Sequence, residues 1–372
     1  MKKILLSFLI LTLLLAAVGW LRYGGGENYP DLTTTALLGE DALEEVLSYP
    51  EPIGNLAVSA DGRLFFTVHP EARPRGNRLL EYVDGASVPF PDVGSQLDLF
   101  DTVLGIAIDQ QNRLWTIDHG NHGLQAPRLL AFDLDKNEII RDQRLPPEIA
   151  PAGSFLQDLQ ISADGRTVII ADASIWRLQP ALIVYDVKTA TARRVLEGTP
   201  GVASEDYLIR TTARDMRYLG GILTLKAGVD GLALGDDWLY FGALTGSGLY
   251  RVALADLRDT SFSDKQLATR VERIASKPLS DGMSIDLDGN VFVTDVEHNA
   301  VFIVSSAGDV STLLRSRRIR WPDALSFGPD GWLYVADSAL PDVVLQPRAH
   351  IQDQKPYRIF RFRPGTEGTP GQ

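Results

Sequence analysis

Residues 282–295, GMSIDLDGNVFVTD, contain two short runs of alternating apolar residues on either side of Asp288-Gly289. Asp-Gly supplies the residues with positive φ that a tight two-residue turn requires. Apolar alternation on both sides of such a turn is typical of strands with one buried face. The segment therefore predicts a β-hairpin.

The same hairpin pattern recurs at five other places in the chain. The other copies are NLAVSADGRLFFTV (55–68), GIAIDQQNRLWTID (105–118), DLQISADGRTVIIAD (158–172), GLALGDDWLYFGA (231–243) and ALSFGPDGWLYVAD (324–337). Their turns follow one another at intervals of roughly 40 to 70 residues, which leaves room for two further strands after each hairpin. Four strands repeated in this way are typical of a β-propeller, whereas a β-sandwich would not explain the repeat. The sequence therefore predicts an all-β fold, a six-bladed β-propeller.

A propeller must close into a ring, because an open one exposes two sheet edges. The last predicted strand, YRIFRFR (357–363), needs an outer partner. We expect residues near Ala42–Ser48 to pair with it. The propeller is accordingly expected to span residues 42–364, with a linker (23–41) before it and a short tail (365–372) after it.

The N-terminus has the composition of a targeting segment. Lys2 and Lys3 precede an apolar run from Ile4 to Trp20. This is the pattern of an export signal, and the run is nearly long enough to span a bilayer. Residues 1–22 are therefore predicted to be either a cleaved signal peptide or an N-terminal membrane anchor. Both alternatives predict an exported protein, periplasmic or secreted, and the second adds attachment to the membrane.

The composition excludes several classes of function. The 48 acidic residues outnumber the 36 Lys and Arg, giving a net charge of −12, which argues against binding to nucleic acid. The absence of cysteine excludes disulfides, thiolate nucleophiles and thiolate metal sites. No HExxH, dinucleotide-binding or phosphate-loop motif occurs, so no nicotinamide, flavin or haem cofactor is expected. We expect a monomer that takes a small-molecule ligand.

The residues just before each inner strand are predicted to surround the mouth of the central channel. At this position the six copies have, in order, Gly54, Leu104, Gln157, Asp230, Asp281 and Asp323. Carboxylates that converge repel one another unless they are solvated, protonated or neutralised by a cation. Hard oxygen ligands suit calcium or magnesium, so Asp230, Asp281 and Asp323 are predicted to bind a divalent cation or a cationic ligand group.

Further polar residues follow the second strand of each hairpin, at the same end of the propeller. They are Asp118, His119, Asp172, Asp295, His298 and Asp337. A loop histidine can act as a general base near neutral pH, which makes His119, with Asp118 beside it, the candidate catalytic residue. The alternative is structural, because aspartates at strand ends often accept backbone N–H bonds. The residues predicted to contact a ligand are Asn55, Gln157, Asp295, His298 and Trp321.

Several segments resemble the yellow/major royal jelly protein family. They are 127–162 with the following IIADAS and ALIVYDVKTATARRV, then GVDGLALGDDWLYFGALTGSGLYRV (228–252), NVFVTDVEHNAVFIV (290–304) and RWPDALSFGPDGWLYVADSALP (320–341). The match is collinear from about residue 50 to residue 345. Insect members contain disulfides and this chain has no cysteine, so it looks like a bacterial-type exported relative. The resemblance implies a six-bladed propeller, and its implied activities are mixed: dopachrome conversion, binding of small amines in the central cavity, and storage or signalling.

The chain is more distantly similar to the gluconolactonase/senescence-marker propellers, which hydrolyse sugar lactones with one divalent metal. That similarity places Asp281 on the metal and puts Asp230 where the family has an asparagine ligand. Its first-blade glutamate ligand falls on Gly54, which cannot ligate, with Asn55 beside it as a substitute. Asp323 could complete a different site.

The sequence thus supports one leading function and two alternatives. The leading one is an exported propeller of the yellow/major royal jelly type that binds a small polar or aromatic molecule at its channel mouth. The alternatives are a divalent-metal-dependent, lactonase-like hydrolase and an interaction scaffold that uses the propeller rim.

Overall fold

Each repeated hairpin forms the two innermost strands of one blade in the computed structural model, which describes residues 2–372. The apolar side chains of these strands are buried, because each blade packs between two neighbouring blades. The fold is therefore the predicted six-bladed β-propeller.

The strands and helices have the following bounds. The strands of the first half are β1 (Glu27–Asn28), β2 (Glu44–Tyr49), β3 (Ile53–Val58), β4 (Leu64–Val68), β5 (Leu79–Val83), β6 (Ala86–Pro89), β7 (Val103–Ile108), β8 (Arg113–Asp118), β9 (Arg128–Asp133), β10 (Glu138–Arg144), β11 (Leu156–Ile161), β12 (Thr167–Asp172), β13 (Ala181–Asp186) and β14 (Thr191–Val195). The remaining strands are β15 (Tyr207–Leu208), β16 (Arg217–Tyr218), β17 (Leu223–Thr224), β18 (Val229–Leu234), β19 (Trp238–Ala243), β20 (Gly248–Ala253), β21 (Glu272–Ser276), β22 (Met283–Ile285), β23 (Val291–Asp295), β24 (Ala300–Val304), β25 (Val310–Arg315), β26 (Pro322–Phe327), β27 (Leu333–Asp337) and β28 (Tyr357–Phe362). The α-helices are α1 (Lys2–Tyr23), α2 (Gln96–Leu99), α3 (Gly120–Gly123), α4 (Leu254–Arg258), α5 (Asp264–Ala268) and α6 (Arg348–Asp353).

The blades are antiparallel sheets of four strands around a central channel. From the channel outwards, blade 1 is β3-β4-β5-β6, blade 2 is β7-β8-β9-β10 and blade 3 is β11-β12-β13-β14. Blade 4 is β18-β19-β20-β21, blade 5 is β22-β23-β24-β25 and blade 6 is β26-β27-β28-β2. All inner strands begin at the same end of the channel, which we call the mouth face. The connections between the second and third strands and between successive blades lie on that face.

Blade 6 closes the ring by joining the two ends of the propeller. Strand β2 pairs with β28, with Leu47 opposite Ile359 and Tyr49 opposite Tyr357. The outer partner expected near Ala42–Ser48 is therefore present. Because one sheet contains both ends, blades 1 and 6 cannot separate without breaking these hydrogen bonds.

The C-terminal segment covers the channel at the end opposite the mouth. The Ile108 N–H donates to Gly371 O, and the Phe327 N–H donates to Gln372 O. The side-chain Nε2 of Gln372 donates to Ile161 O at 2.8 Å. These contacts reach blades 2, 6 and 3, so residues near Gln372 form a floor across the inner strands.

Candidate functional site

The inner strands share an irregularity that aims side chains into the channel. In blades 1, 2, 3, 4 and 6 the pairing of the inner with the second strand shifts by a bulge of two residues near the mouth. The first residues of these pairs are Gly54, Leu104, Gln157, Asp230 and Asp323, and Asp281 occupies the same place, two residues before β22. Bulges re-aim side chains and are common beside functional sites. The bulges therefore direct this ring of residues towards the axis.

Glycines after two of the aspartates let neighbouring blades approach closely. A Cβ on Gly231 would lie 2.3 Å from Asp281 O, and one on Gly282 would lie 2.6 Å from Asp323 O. No side chain is accommodated at those distances, so blades 4, 5 and 6 can come together only with glycine at these positions. This close approach groups Asp230, Asp281 and Asp323.

The ring borders a cavity of about 110 Å³ on the channel axis, which is room for several water molecules or a small organic group. Its polar lining includes Asn55, His69, Glu71, His122, Gln157, Asp158, Gln160, Asp230, Asp281, Asp323 and Gln372. Its apolar and aromatic lining includes Tyr23, Leu104, Phe155, Trp176, Tyr218, Leu225, Leu244, Met283, Leu340 and Val344. The cavity thus has a largely apolar wall and an acidic inner part.

Four aspartates carry the acidity of this inner part. Burial raises the pKa of Asp158 to about 7 and that of Asp281 to about 7. Burial, together with the charge of Asp281, also raises the pKa of Asp230 and that of Asp323 well above the usual range. The carboxyl groups of Asp230 and Asp281 are within hydrogen-bonding reach of each other. The group therefore retains protons near neutral pH, because several negative charges in one buried space repel one another.

Hydrogen bonds hold these carboxyl groups in place. The Trp321 Nε1–H donates to Asp281 Oδ2 at 2.6 Å, and Gln157 Nε2 donates to Asp230 Oδ2 at 2.8 Å. Asp158 Oδ2 accepts from the Leu232 N–H at 3.0 Å. Trp321 is fully buried and does not line the cavity. Its role is to position Asp281 and not to stack on a ligand.

The acidic group has few charged partners among residues 2–372. His69 Nε2 lies 3.7 Å from Asp323 Oδ2, and burial lowers the pKa of His69 to about 4, so this histidine is neutral near pH 7. Burial also lowers the pKa of Lys277 to about 7, and its Nζ donates to Pro278 O and Ser280 Oγ. Neither group supplies a full positive charge to the cavity. Lys226 also lines the cavity, but its Nζ is paired with Asp206 Oδ1 at 2.5 Å. Among residues 2–372 the acidic group therefore has no fully charged cation beside it, and a cationic ligand would favour its ionised form.

Four buried polar atoms of the lining make no hydrogen bond in the described structure: Asp323 Oδ2, Gln157 Oε1, Gln160 Oε1 and His122 Nδ1. A buried polar atom without a partner is costly, and each such atom requires an explanation. The two glutamine oxygens are acceptors and call for a donor in the cavity, whereas the raised pKa of Asp323 lets its carboxyl group donate or accept.

Aromatic side chains form the wall above the acidic group. The ring of His122 stacks on Phe155, with centroids 4.5 Å apart, and its Nε2 lies 2.8 Å from Glu71 Oε1. Tyr23 meets Trp176 edge to face at 6.2 Å. Flat aromatic surfaces over a negative pocket can hold the apolar part of an organic cation.

The aspartates at the ends of the second strands are structural clamps. Asp118 accepts four hydrogen bonds, from the N–H groups of Asp101, Thr102 and Gly120 and from Thr102 Oγ1. These bonds tie the end of β8 to the chain that enters β7. None of the four aspartates of this set, Asp118, Asp172, Asp295 and Asp337, lines the cavity.

The candidate catalytic histidine and the predicted ligand residue His298 lie outside the cavity as well. His119 is fully buried, burial lowers its pKa well below the usual range, and its Nδ1 accepts from the His122 N–H. His298 Nδ1 lies 2.8 Å from Asp295 Oδ2, while its Nε2 lies 3.6 Å from Asp31. Through these contacts, His298 and Asp295 hold the N-terminal segment against blade 5. Of the residues predicted to contact a ligand, Asn55 and Gln157 line the cavity.

Sequence reasoning missed several lining residues. Asp158 was overlooked because it is the second residue of its bulge, whereas the other acidic positions are first residues. His69 and Glu71 follow β4, where the repeat alone gave no reason to single them out. Tyr23 and Tyr218 come from segments outside the repeats. A search for every polar residue within one position of each bulge would have found Asp158.

The ligand set of a one-metal lactonase is not reproduced. A Cβ on Gly54 would lie 2.6 Å from Leu104 Cδ1, so a ligand-bearing side chain there would require Leu104 to move. Asn55 Oδ1 already accepts from the Leu56 N–H at 2.8 Å. Among residues 2–372, no group of three or more His, Asp or Glu is arranged to hold a metal ion. The residues present therefore do not fit that metal site.

Comparison with known proteins agrees with the sequence pattern. The family model described as major royal jelly protein matches residues 101–341, which is more than half of the chain. The chain belongs to the major royal jelly protein family. It is 27% identical to major royal jelly protein 2 of Apis mellifera over 242 residues, 61% of this chain and 50% of that protein. It is 26% identical to major royal jelly protein 3 of the same species over 243 residues, 62% of this chain and 42% of that protein. The chain thus spans about half the length of these royal jelly relatives.

Solved structures with the same propeller architecture have other names. A luciferin-regenerating enzyme has a TM-score of 0.58 at 12% identity and covers 88% of this chain and 97% of its own. A gluconolactonase from Xanthomonas campestris has a TM-score of 0.55 at 15% identity and covers 91% of this chain and 96% of its own. At such identities the likeness establishes the fold, and the function of this royal jelly family member must be argued from its own cavity.

Proposed function

We propose that the cavity binds a small organic amine whose body is aromatic or otherwise apolar. The observation that carries this proposal is the pairing of an aromatic wall with four buried carboxyl groups and two glutamine oxygens that lack donors. An ammonium group supplies N–H donors and a positive charge at the acidic end. The hydrocarbon part meanwhile covers the apolar wall, where burial of apolar surface favours binding.

Because the pKa values of the buried aspartates are raised, binding of a cation is expected to release protons. A cation beside Asp158 and Asp281 stabilises their ionised forms, so ligand binding must lower their pKa values from about 7. Near neutral pH the complex therefore releases protons as it forms. A neutral ligand of the same shape has no such effect.

The test is calorimetric titration of the full chain with 2-phenylethylamine, using 2-phenylethanol as the neutral control of matched shape. We expect heat from the amine only, with an enthalpy that varies with the ionisation enthalpy of the buffer because protons are released. Asp281→Asn should abolish binding, whereas Asp61→Asn, in a turn on the opposite face, should not change it. Equal binding of the amine and the alcohol would contradict the proposal.

The metal-dependent alternative is tested in the same experiment. Calcium and magnesium are titrated into protein treated with a chelator, and a lactone is offered as substrate. A metal signal that Asp281→Asn removes, with turnover that chelation abolishes, would replace amine binding by the hydrolase function.

We also propose that the protein is exported, because Lys2 and Lys3 stand at the start of an apolar helix whose span Lys3–Tyr23 reaches a mean hydropathy of 2.6. Fusion of residues 1–30 to a reporter should carry the reporter across the membrane. Retention of the reporter in the cytoplasm would contradict export.

A further inference from the structure

Helix α1 leaves the propeller almost at once. Every residue from Lys3 to Leu15 is exposed, and contact with the rest of the chain is confined to the last two turns. The helix is long and apolar enough to cross a membrane. An apolar helix with no protein around it needs another apolar environment.

The end of α1 is fixed directly to the mouth face. Tyr23 Oη donates to Trp176 O at 2.8 Å, and Arg22 Nη2 donates to Arg177 O at 3.0 Å. Thr224 Oγ1 donates to Tyr23 O at 2.9 Å. The apolar part of the helix therefore ends where the mouth face begins.

The glycines after the helix do not form a free spacer. Gly24 is buried, and Lys226 Nζ donates to its carbonyl oxygen at 2.7 Å. Strand β1 then pairs with β15. From Trp20 to Tyr23 the helix rises only about 5 Å. A bilayer that surrounds α1 is therefore held within a few ångströms of the mouth face.

The mouth face carries apolar side chains that nothing in the described chain covers. Leu124, Trp176, Leu219 and Leu345 are exposed on connections at this end, and Trp176 and Leu345 also line the cavity. Single exposed apolar residues are ordinary, but here four of them share one face with the end of an apolar helix, which marks this face as an interaction site.

The aromatic residues at the end of α1 have the distribution that a membrane interface favours. Tyr23 contacts Trp176 where α1 joins the propeller, Trp20 lies about one turn earlier in the helix, and Trp and Tyr prefer the headgroup level. Exposed Arg73 and Arg75 lie on the same face, where they can contact anionic headgroups. Exposed acidic residues lie on both faces, for example Asp98, Asp101 and Asp206 on the mouth face and Asp61, Asp164, Asp236, Asp288 and Asp330 on the opposite face. The position of α1 and of the exposed apolar side chains therefore decides which face meets the bilayer.

We propose that α1 is retained as a membrane anchor and holds the mouth face against the surface of the bilayer. The channel then opens at headgroup level, and ligands enter it from the membrane interface. The statement on ligand entry rests on the proposed function, whereas the orientation of the propeller does not.

The absence of cysteine allows a direct test with single spin labels. The full chain is reconstituted into vesicles of phosphatidylethanolamine and phosphatidylglycerol, and Leu124→Cys, Leu219→Cys and Leu345→Cys are labelled one at a time. Leu9→Cys, within α1, is the reference for the bilayer interior. Leu287→Cys is the matched control, because Leu287 is 69% exposed on the opposite face and Leu219 is 67% exposed on the mouth face.

We expect the three mouth-face labels to lose accessibility to a water-soluble nickel chelate and to gain accessibility to oxygen when vesicles replace detergent. The label at position 287 should remain accessible to the chelate in both states. Mouth-face labels as accessible as the one at position 287 would overturn the proposal, as would an intact mass that lacks residues 1–19. The thermal midpoint of each variant verifies folding. Because no ligand is added, failure here leaves the amine titration unaffected.

Discussion

Two sets of aspartates on the mouth face differ in what surrounds them. Asp118, Asp172, Asp295 and Asp337, at the ends of the second strands, accept bonds from backbone N–H groups or from basic side chains. The aspartates that border the cavity, Asp158, Asp230, Asp281 and Asp323, are crowded together with few donors. The same residue type at the same end of the molecule stabilises the fold in one set and strains it in the other. Whether a carboxyl group stabilises or strains the fold depends on the number of donors that the backbone supplies to it.

The largest expected effect is the loss of stability when one of the aspartates at the ends of the second strands is removed. Asp172 accepts from the Phe155 and Ser174 N–H groups and from Arg194 Nη1 at 2.6 Å, and it is fully buried. Asp172→Ala removes the buried partner of Arg194, which keeps only the partly exposed Glu197 as an ionic partner, and leaves two N–H groups without an acceptor, so we expect the free energy of unfolding to fall by about 3–5 kcal/mol. Denaturant unfolding measures this loss. Asp172→Asn, which keeps one acceptor oxygen, should lose less. If Asp172→Ala costs no more than Asp281→Ala, the two sets do not differ as described.

The next effect has the opposite sign. Asp281→Asn keeps an acceptor for the Trp321 indole and removes a charge from the crowded group. We expect the free energy of unfolding at about pH 8 to rise by ~1–3 kcal/mol, while amine binding is lost. Asp118→Asn, the matched change in the clamp set, should lower stability instead. If both variants were destabilised, the two sets of aspartates would not differ in their effect on stability.

The pH dependence of stability separates the two sets further. The pKa of Asp158 and that of Asp281 are raised to about 7 in the folded state. The contribution of these two groups to the stability of the folded state is therefore fully present below about pH 4, the pKa of an aspartate in the unfolded chain. It is lost as the pH rises through about 7. Between these limits the wild type should lose stability relative to the double variant Asp158→Asn/Asp281→Asn. Parallel stability profiles for the two proteins would show that these carboxyl groups ionise normally.

The smallest expected effect concerns His298, which joins a clamp to the N-terminal segment. Its hydrogen bond to Asp295 raises the pKa of His298 above 6.5. The stabilisation is present below that value and is lost as the pH rises through the raised pKa. The side chain is partly exposed, so His298→Gln should cost less than about 1 kcal/mol at pH 6 and nothing at high pH. Unfolding midpoints at the two pH values test this, and a cost that persists at high pH would point to packing instead.

The sequence alone was sufficient for the fold and for part of the site. Six Asp-Gly-type hairpins at regular spacing require six blades, since each hairpin needs neighbours to bury its apolar face. The repeat also placed Asp230, Asp281 and Asp323 at equivalent positions, because equivalent residues of adjacent blades must lie side by side. The repeat is a pattern of residues along the chain, so it can be recognised from the sequence without knowledge of the packing.

What each of these carboxyl groups does was decided by the tertiary structure. Whether Trp321 faces a ligand or the core depends on how blades 5 and 6 pack, and it donates to Asp281. Tyr23 and Gln372 belong to no repeat, yet the fold brings them to opposite ends of one cavity. The hydrogen-bond donors around a carboxyl group, and the depth at which it is buried, depend on residues distant in the chain. These two features set the charge of each side chain at the mouth. The repeat in the sequence therefore determined that Asp230, Asp281 and Asp323 meet, and only the packed structure determined which other residues join them and which atoms are left unsatisfied for a ligand.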